Sequence, residues 1–194
     1  MFGRQHFKKI GFVFFFCLFV SPICTAQRPV EYTRNLGAMP ISCSIYKEQT
    51  AINGICVGDS MQKVLSIFGK PYNASQSGNQ IELFYGGANI LLISWSGDEN
   101  YMVITITVNG GGDFRTADGV SVGMSETVLS QIYGTADSVS TERHKAPKLS
   151  EKDNEEYRKR LDKTIYAYNV NESVTMKFTV KGGIITSIKV HASE

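Results

Sequence analysis

Chemistry at neutral pH needs histidines, thiols, activated hydroxyls or grouped carboxylates, and in this chain they are few and scattered. Beyond the first 26 residues only His144, His191, Cys43 and Cys56 remain of their types. A zinc site needs His, Cys or acidic ligands clustered at short spacing, and no such cluster is seen. Serines are many, but no Gly-x-Ser-x-Gly elbow is read among them, and neither histidine has an evident acidic partner to complete a nucleophilic triad. Gly58-Asp59-Ser60 and Gly123-Met124-Ser125 look like motifs. Their serines stand just before helical patterns and read as N-caps, whose hydroxyls accept from free first-turn amides. Asp98, Glu99 and Asp113 flank turns without the spacing of an EF-hand. No catalytic or metal-ligating residue is assigned, and no cofactor is expected.

Aromatic side chains are the other residues that can build a site. Trp and Tyr are common anchors of protein interfaces. Trp95 precedes the turn Ser96-Gly97-Asp98-Glu99-Asn100, and Tyr101 follows it. The candidate binding set is therefore Trp95 and Tyr101, bordering a face built from Val103, Thr105 and Thr107. The plainer alternative, that these aromatics complete a core or an edge, stays open.

The elements that must position these residues come from two similar segments, Gly54 to Gly69 and Gly119 to Gly134. Aligned without a gap, they share Gly54/Gly119, Val57/Val122, Gly58/Gly123, Ser60/Ser125, Ile67/Ile132 and Gly69/Gly134. Internal similarity of this kind points to a tandem architecture. In each segment a capping serine leads into apolar residues at helical spacing: Met61, Val64, Leu65 and Phe68, then Val128, Leu129, Ile132 and Tyr133. Gly69 and Gly134 supply the stop. Each helix spans only two to three turns, so it must be held by packing on a sheet.

Strand patterns are expected at about 80–86, 89–96 and 101–108, then at about 164–169, 173–180 and 184–191. A further short strand is read at Ile41 to Tyr46. Alternation places Met102, Ile104, Ile106 and Val108 toward the helices, with Tyr101, Val103, Thr105 and Thr107 outward. By the same rule Ile184, Thr186, Ile188 and Val190 face inward, and Ile185, Ser187 and Lys189 outward. Lys181-Gly182-Gly183 suits a tight hairpin. Asn109 to Asp113 is a glycine-rich junction, and its strand-like flanks favour a hinge or hairpin over a phosphate cradle. The second segment carries a charge-dense insertion at 140–163, read as a solvated helix or a loop.

The N-terminus reads as a targeting signal. Arg4, Lys8 and Lys9 precede an apolar run from Ile10 to Val20, and Cys24-Thr25-Ala26 places small residues before Gln27. Cleavage after Ala26 is expected; the run falls short of the ~20 residues that span a bilayer. Losing three basic residues takes the formal charge from +2 to −1. That leaves no basic field for nucleic acid. An exported chain with an even number of cysteines favours a disulfide. Cys56 lies between Ile55 and Val57, on the face away from that apolar pair, so a Cys43–Cys56 bond is expected. Two unpaired thiols are the other reading. The resulting organisation is a signal peptide at 1–26, a lead with a short strand at 27–49, repeat 1 at 50–112 and repeat 2 at 113–194.

Gly58-Asp59-Ser60 with Val64, Gly69 and Pro71, and Gly123-Met124-Ser125 with Val128 and Gly134, resemble the repeat of the β-lactamase inhibitory protein (BLIP) superfamily. A similar single unit occurs in small outer-membrane assembly lipoproteins of the SmpA/OmlA type. The resemblance implies an α+β fold, two tandem helix-plus-antiparallel-sheet repeats forming one continuous sheet. The functional expectation is an exported, non-enzymatic binding module that uses the outer sheet face. Its partner would be an extracytoplasmic protein or an envelope polymer, with no nucleic acid and no stable membrane anchor after signal cleavage. A structural envelope-assembly component is the alternative, followed by a small secreted hydrolase or a small-molecule carrier.

Overall fold

Eight strands and two short helices account for most of residues 45–97, 99–110, 113–143, 155, 161–171 and 173–192, which the computed structural model describes. In chain order these are α1 (Met61–Phe68), β1 (Asn73–Ser77), β2 (Gln80–Tyr85), β3 (Ala88–Ile93), β4 (Met102–Val108), α2 (Thr127–Ile132), β5 (Ser138–Glu142), β6 (Lys163–Asn171), β7 (Val174–Lys181) and β8 (Ile184–Ala192). The strands form one sheet in the order β1-β2-β3-β4-β8-β7-β6-β5. All seven pairings are antiparallel.

This corrects the expected class. The chain is mainly β, one eight-stranded sheet, and not an α+β pair of helix-plus-sheet repeats. The helices hold only eight and six residues. Helices this short do not persist alone, so the sheet is the scaffold and the helices are attachments. Residues 45–46, the described end of the strand expected at Ile41 to Tyr46, are not in a strand, and a 3-10 turn follows at Lys47–Thr50.

Strand positions otherwise follow period-2 sequence. Tight turns set several registers. Lys181 pairs with Ile184 across Gly182-Gly183, whose φ values of 56° and 78° suit a two-residue hairpin that only glycine enters without strain. The edge strands β1 and β5 have no counterpart in the sequence reading. Both are exposed at every position, so they carry no apolar alternation to read. Edge strands commonly look like this, since an apolar edge would pair with other chains.

Two β-bulges overturn the expected inward and outward sets. Leu91 pairs with Thr105 but Leu92 pairs with Val103, which leaves Ile104 as an extra residue in β4. Thr179 pairs with Ser187 but Val180 pairs with Ile185, which leaves Thr186 extra in β8. An extra residue reverses the alternation on one side of the bulge. Val103 and Ile185 are therefore buried, at 1% and 0% exposure, while Met102 and Ile184 are exposed. Thr186 donates its hydroxyl to the Thr179 carbonyl at 3.1 Å, which satisfies the ladder locally. Ile104 has no side-chain donor to do so.

Both helices lie on one face of the sheet. Val64 and Leu129 are buried in the core with Leu83, Ile90, Ile106, Phe178 and Ile188. Leu65 and Ile132, expected in the apolar helix faces, are instead exposed. Helix entry is clamped to the sheet in the same way twice. Gly58 N–H donates to Val103 O and Val103 N–H to Asp59 O, and Gly123 N–H donates to Ile185 O and Ile185 N–H to Met124 O, all at 2.8–2.9 Å. Helix exit is tied down by tyrosines: Tyr85 donates to Gly69 O at 3.1 Å, and Tyr168 to Gly134 O at 3.4 Å. Gly69 and Gly134 have φ of 71° and 77°, the left-handed stop expected of glycine.

The expected caps divide. Ser60 is the N-cap of α1, its Oγ accepting from Lys63 N–H at 3.3 Å. Ser125 is not the N-cap of α2, which is Glu126. Its Oγ meets Thr127 Oγ1 at 3.0 Å and Thr127 N–H at 3.4 Å. Its carbonyl closes a tight turn from Val128 N–H, so the α-helix starts later.

Candidate functional site

Neither α1 nor α2 lies on the opposite face of the sheet. Pairing registers define its outward rows, because residues directly paired across antiparallel strands share a face. A central row runs Asn73, Phe84, Asn89, Thr107, Lys189, Lys177, Ala167 and Ser138. Beside it lie Glu82, Leu91, Thr105, His191 and Thr175.

Of the expected binding set, Thr105 and Thr107 lie on this face and are half-exposed. Val103 does not, because the bulge at Ile104 turns it into the core. Tyr101 shares the inward parity of Val103 and packs against the core from its edge. Its hydroxyl accepts from Gln76 Nε2 at 3.2 Å, and its carbonyl accepts the first amide of α1, Met61 N–H, at 2.9 Å. Tyr101 is thus a packing residue that fixes helix entry. Trp95 is 72% exposed just beyond β3. It follows Ser94, which is pinned at both backbone groups by Asn79, so a free indole stands next to a fixed backbone.

The residues that sequence reasoning passed over are lysines. Lys177 and Lys189 are directly paired across β7 and β8, and Lys163 and Lys181 across β6 and β7. Lys163 meets Glu142 at 3.6 Å. Lys177, Lys181 and Lys189 have no ion pair among the described residues. Alternation alone puts Lys177 and Lys189 outward. That they are neighbours depends on the bulge at Thr186, since the unbroken hairpin register would set Ile188 opposite Lys177.

His191 lies at the middle of the face, paired with Thr105 and Thr175. Its Nδ1 is 3.0 Å from Ala192 O, and a carbonyl only accepts, so Nδ1 carries the proton. Its Nε2 is buried and lacks a hydrogen-bond partner among the described residues. Thr175 is also buried, and donates to Asn169 Oδ1 at 3.0 Å.

Several groups elsewhere have sequence patterns suggestive of chemistry. Gly119-x-Ser121-x-Gly123 has the spacing of a nucleophile elbow, which corrects the reading that the chain has none. Ser121 instead forms a bridge with Arg115, and its amide donates to Met124 Sδ at 3.3 Å. Its hydroxyl has no hydrogen-bonded base among the described residues. In the first segment Asp59 Oδ2 does the work of that sulfur, accepting from Cys56 N–H at 2.7 Å and from Lys63 Nζ at 2.8 Å. The hydrogen bond to Asp59 pushes the Lys63 pKa up. Burial and the Asp59 charge push the Cys56 thiol up, which makes it a poorer nucleophile. Cys56 is a free, half-buried thiol; Cys43, and with it the expected disulfide, lies outside the described residues. So do the signal peptide, Asp98, His144 and most of the charged insertion.

A small cavity of about 90 Å³ opens between Val108, Gly110, Asp113, Phe114, Arg115, Ser121 and Val122. Ligand pockets usually hold roughly 300–1,000 Å³, so this one suits a few waters. Among the described residues no three His, Cys, Asp or Glu side chains converge as a metal site. No described helix is long and apolar enough to cross a membrane.

No family model and no curated protein matches this chain. Among solved structures it is similar to a cysteine-rich secretory protein from Staphylococcus aureus subsp. aureus Mu50, with a TM-score of 0.46 and 9% sequence identity. The similarity covers 76% of this chain and 47% of that one, so the chain spans about half the length of that protein.

Proposed function

We propose that this chain is an exported, non-enzymatic binding module whose ligand lies on the open face of the sheet. One observation carries the reading: α1 and α2 pack on one side, and the outward rows of the other side run across eight strands, exposed or half-exposed at every named position but Ala167 and Thr175. A sheet face held rigid by its own ladder offers a broad contact surface at little cost in ordering. Thr105 and Thr107 sit at its centre, and Trp95 stands exposed beyond β3.

Export rests on the basic, apolar and small-residue pattern of residues 1–26. N-terminal sequencing of the protein from its own source should begin at Gln27, and retention of Met1 in the purified protein would remove that part of the reading. The face is tested by photo-crosslinking. A photoreactive residue replaces Thr107 on the open face or Gln62 on exposed α1, and the protein is mixed with extracytoplasmic material from its source. An adduct formed from position 107 and not from position 62 supports the open face. Adducts from position 62 alone would move the site to the helix side.

A further inference from the structure

The outward residues of the two sheet halves differ in one systematic way. Register places Asn89 and Lys177 at equivalent positions, as it does Thr107 and Lys189, Ile93 and Lys181, and Gln80 and Lys163. Each lysine of the β6–β8 face thus corresponds to an uncharged residue on the β2–β4 face. Like charges directly opposed across strands destabilise a sheet, and here they occur as two pairs. Lysines often guard sheet edges against pairing with other chains. That explanation does not cover Lys177 and Lys189, because β7 and β8 lie inside the sheet. No described residue forms an ion pair with either of them.

The chemistry of the patch selects the partner. The lysine pairs lie four residues apart along β7, which is about 13 Å at the rise of an extended strand. One small anion cannot reach both pairs, so a single ligand that engages all four lysines must be an extended chain. Between the pairs lie Thr179 and Ser187, whose hydroxyls match a hydroxyl-bearing chain. Ser187 already donates to Asn109 Oδ1 at 2.8 Å, and its oxygen can still accept. Outward positions of this half hold no Arg, Trp, Tyr or Phe. Protein interfaces favour those residues and are depleted in Lys. Single-stranded nucleic acid needs stacking platforms. Ile165 and Ile184 lie outward beside Lys163 and Lys181, so a membrane surface, which recruits apolar wedges beside charge, is the competing ligand that vesicles test.

We propose that the lysine face of β6, β7 and β8 binds an acidic polysaccharide, with Lys163, Lys177, Lys181 and Lys189 on its carboxylate or sulfate groups and Thr179 and Ser187 on its hydroxyls. This rests on the open-face reading above and names its ligand class.

The test is affinity electrophoresis of the full chain through gels containing polygalacturonate, at low and high salt, with neutral dextran as the blank. The parent is retarded at low salt and released at high salt. Lys177→Gln/Lys189→Gln weakens binding about fivefold per lysine, as expected for a lysine near an anionic surface. Lys47→Gln/Lys70→Gln removes the same charge from exposed positions off this face and leaves retardation near that of the parent. Circular dichroism confirms that each variant is folded. No retardation of the parent, or equal loss in both double variants, overturns the proposal. Binding to poly-glutamate or to phosphatidylglycerol vesicles but not to polygalacturonate, lost in the first double variant alone, also overturns it while leaving the open face as the binding site. If the position-107 crosslinker also captures nothing, the open-face reading falls as well.

Discussion

The β1–β4 and β5–β8 halves of the sheet do the same thing inwardly and different things outwardly. Inward positions pair off as Tyr85 with Tyr168, Ile90 with Phe178, Val103 with Ile185 and Ile106 with Ile188, all buried. The bulge, the loop-to-strand clamp and the tyrosine tie to a helix-ending glycine occur in both halves. Outward, one half offers Phe84, Leu91 and Ile93 with a single acid, Glu82, whose Oε1 accepts from Asn89 Nδ2 at 3.4 Å. The other offers four lysines and one acid, Glu142, which meets Lys163 at 3.6 Å. The difference shows that packing constrains the inward face of each strand and leaves the outward face free to vary.

The largest effect should come from the inward pair that differs most in size. Phe178 packs against Tyr133 and Tyr168 with ring centroids at 5.3 and 5.9 Å, while its counterpart Ile90 has no ring. Phe178→Ala should cost about 4 kcal/mol and Ile90→Ala about 3 kcal/mol, read as shifts in urea midpoint. A much smaller cost in one half would show that the two halves do not share a cooperative core.

Alkaline titration sharpens the same contrast. Burial pushes Tyr168 up to about 12, and Tyr133 higher still. Groups with raised folded pKa values contribute stability that is full below the unfolded value near 10. It is lost as pH rises through the folded value. Stability should therefore hold up to about pH 10 and decline toward pH 12. Tyr168→Phe should flatten that decline, which urea titrations between those limits would measure. A decline unchanged in the variant would assign it to other groups.

Smaller effects are expected at the helix exits. Tyr85→Phe should cost about 1 kcal/mol and Tyr168→Phe less, because the second hydroxyl reaches its carbonyl at 3.4 Å against 3.1 Å. Equal losses would mean that length does not grade these bonds.

The smallest effect is a gain. Lys177→Gln/Lys189→Gln should raise stability by a few tenths of a kcal/mol at low salt, by removing a like-charged cross-strand pair. The gain should vanish in high salt as screening grows. A loss of stability would mean that the lysine stems matter more as packing than as charge.

Much of the architecture was legible. Serine before an apolar helical pattern and glycine after it located α1, and Gly182-Gly183 located the β7–β8 hairpin. The edge strands were not legible, since Asn73–Ser77 and Ser138–Glu142 are exposed on both sides and hide nothing apolar. The candidate site was half legible: Thr105 and Thr107 were placed outward correctly, and Val103 was not.

The sequence by itself determined the composition of each strand, the turns that glycine permits, and the two short helical segments. It did not determine which residues share a face, because alternation carries a phase that one extra residue reverses. Only the tertiary structure decided that phase. The clamp from Asp59 to Val103, and from Met124 to Ile185, holds the start of β4 and β8 against the helix side. The apolar ends Val108 and Val190 must also face inward, and both demands are met only with a bulge between them. That bulge buries Val103, sets Lys189 beside Lys177, and so chooses the residues that the open face presents.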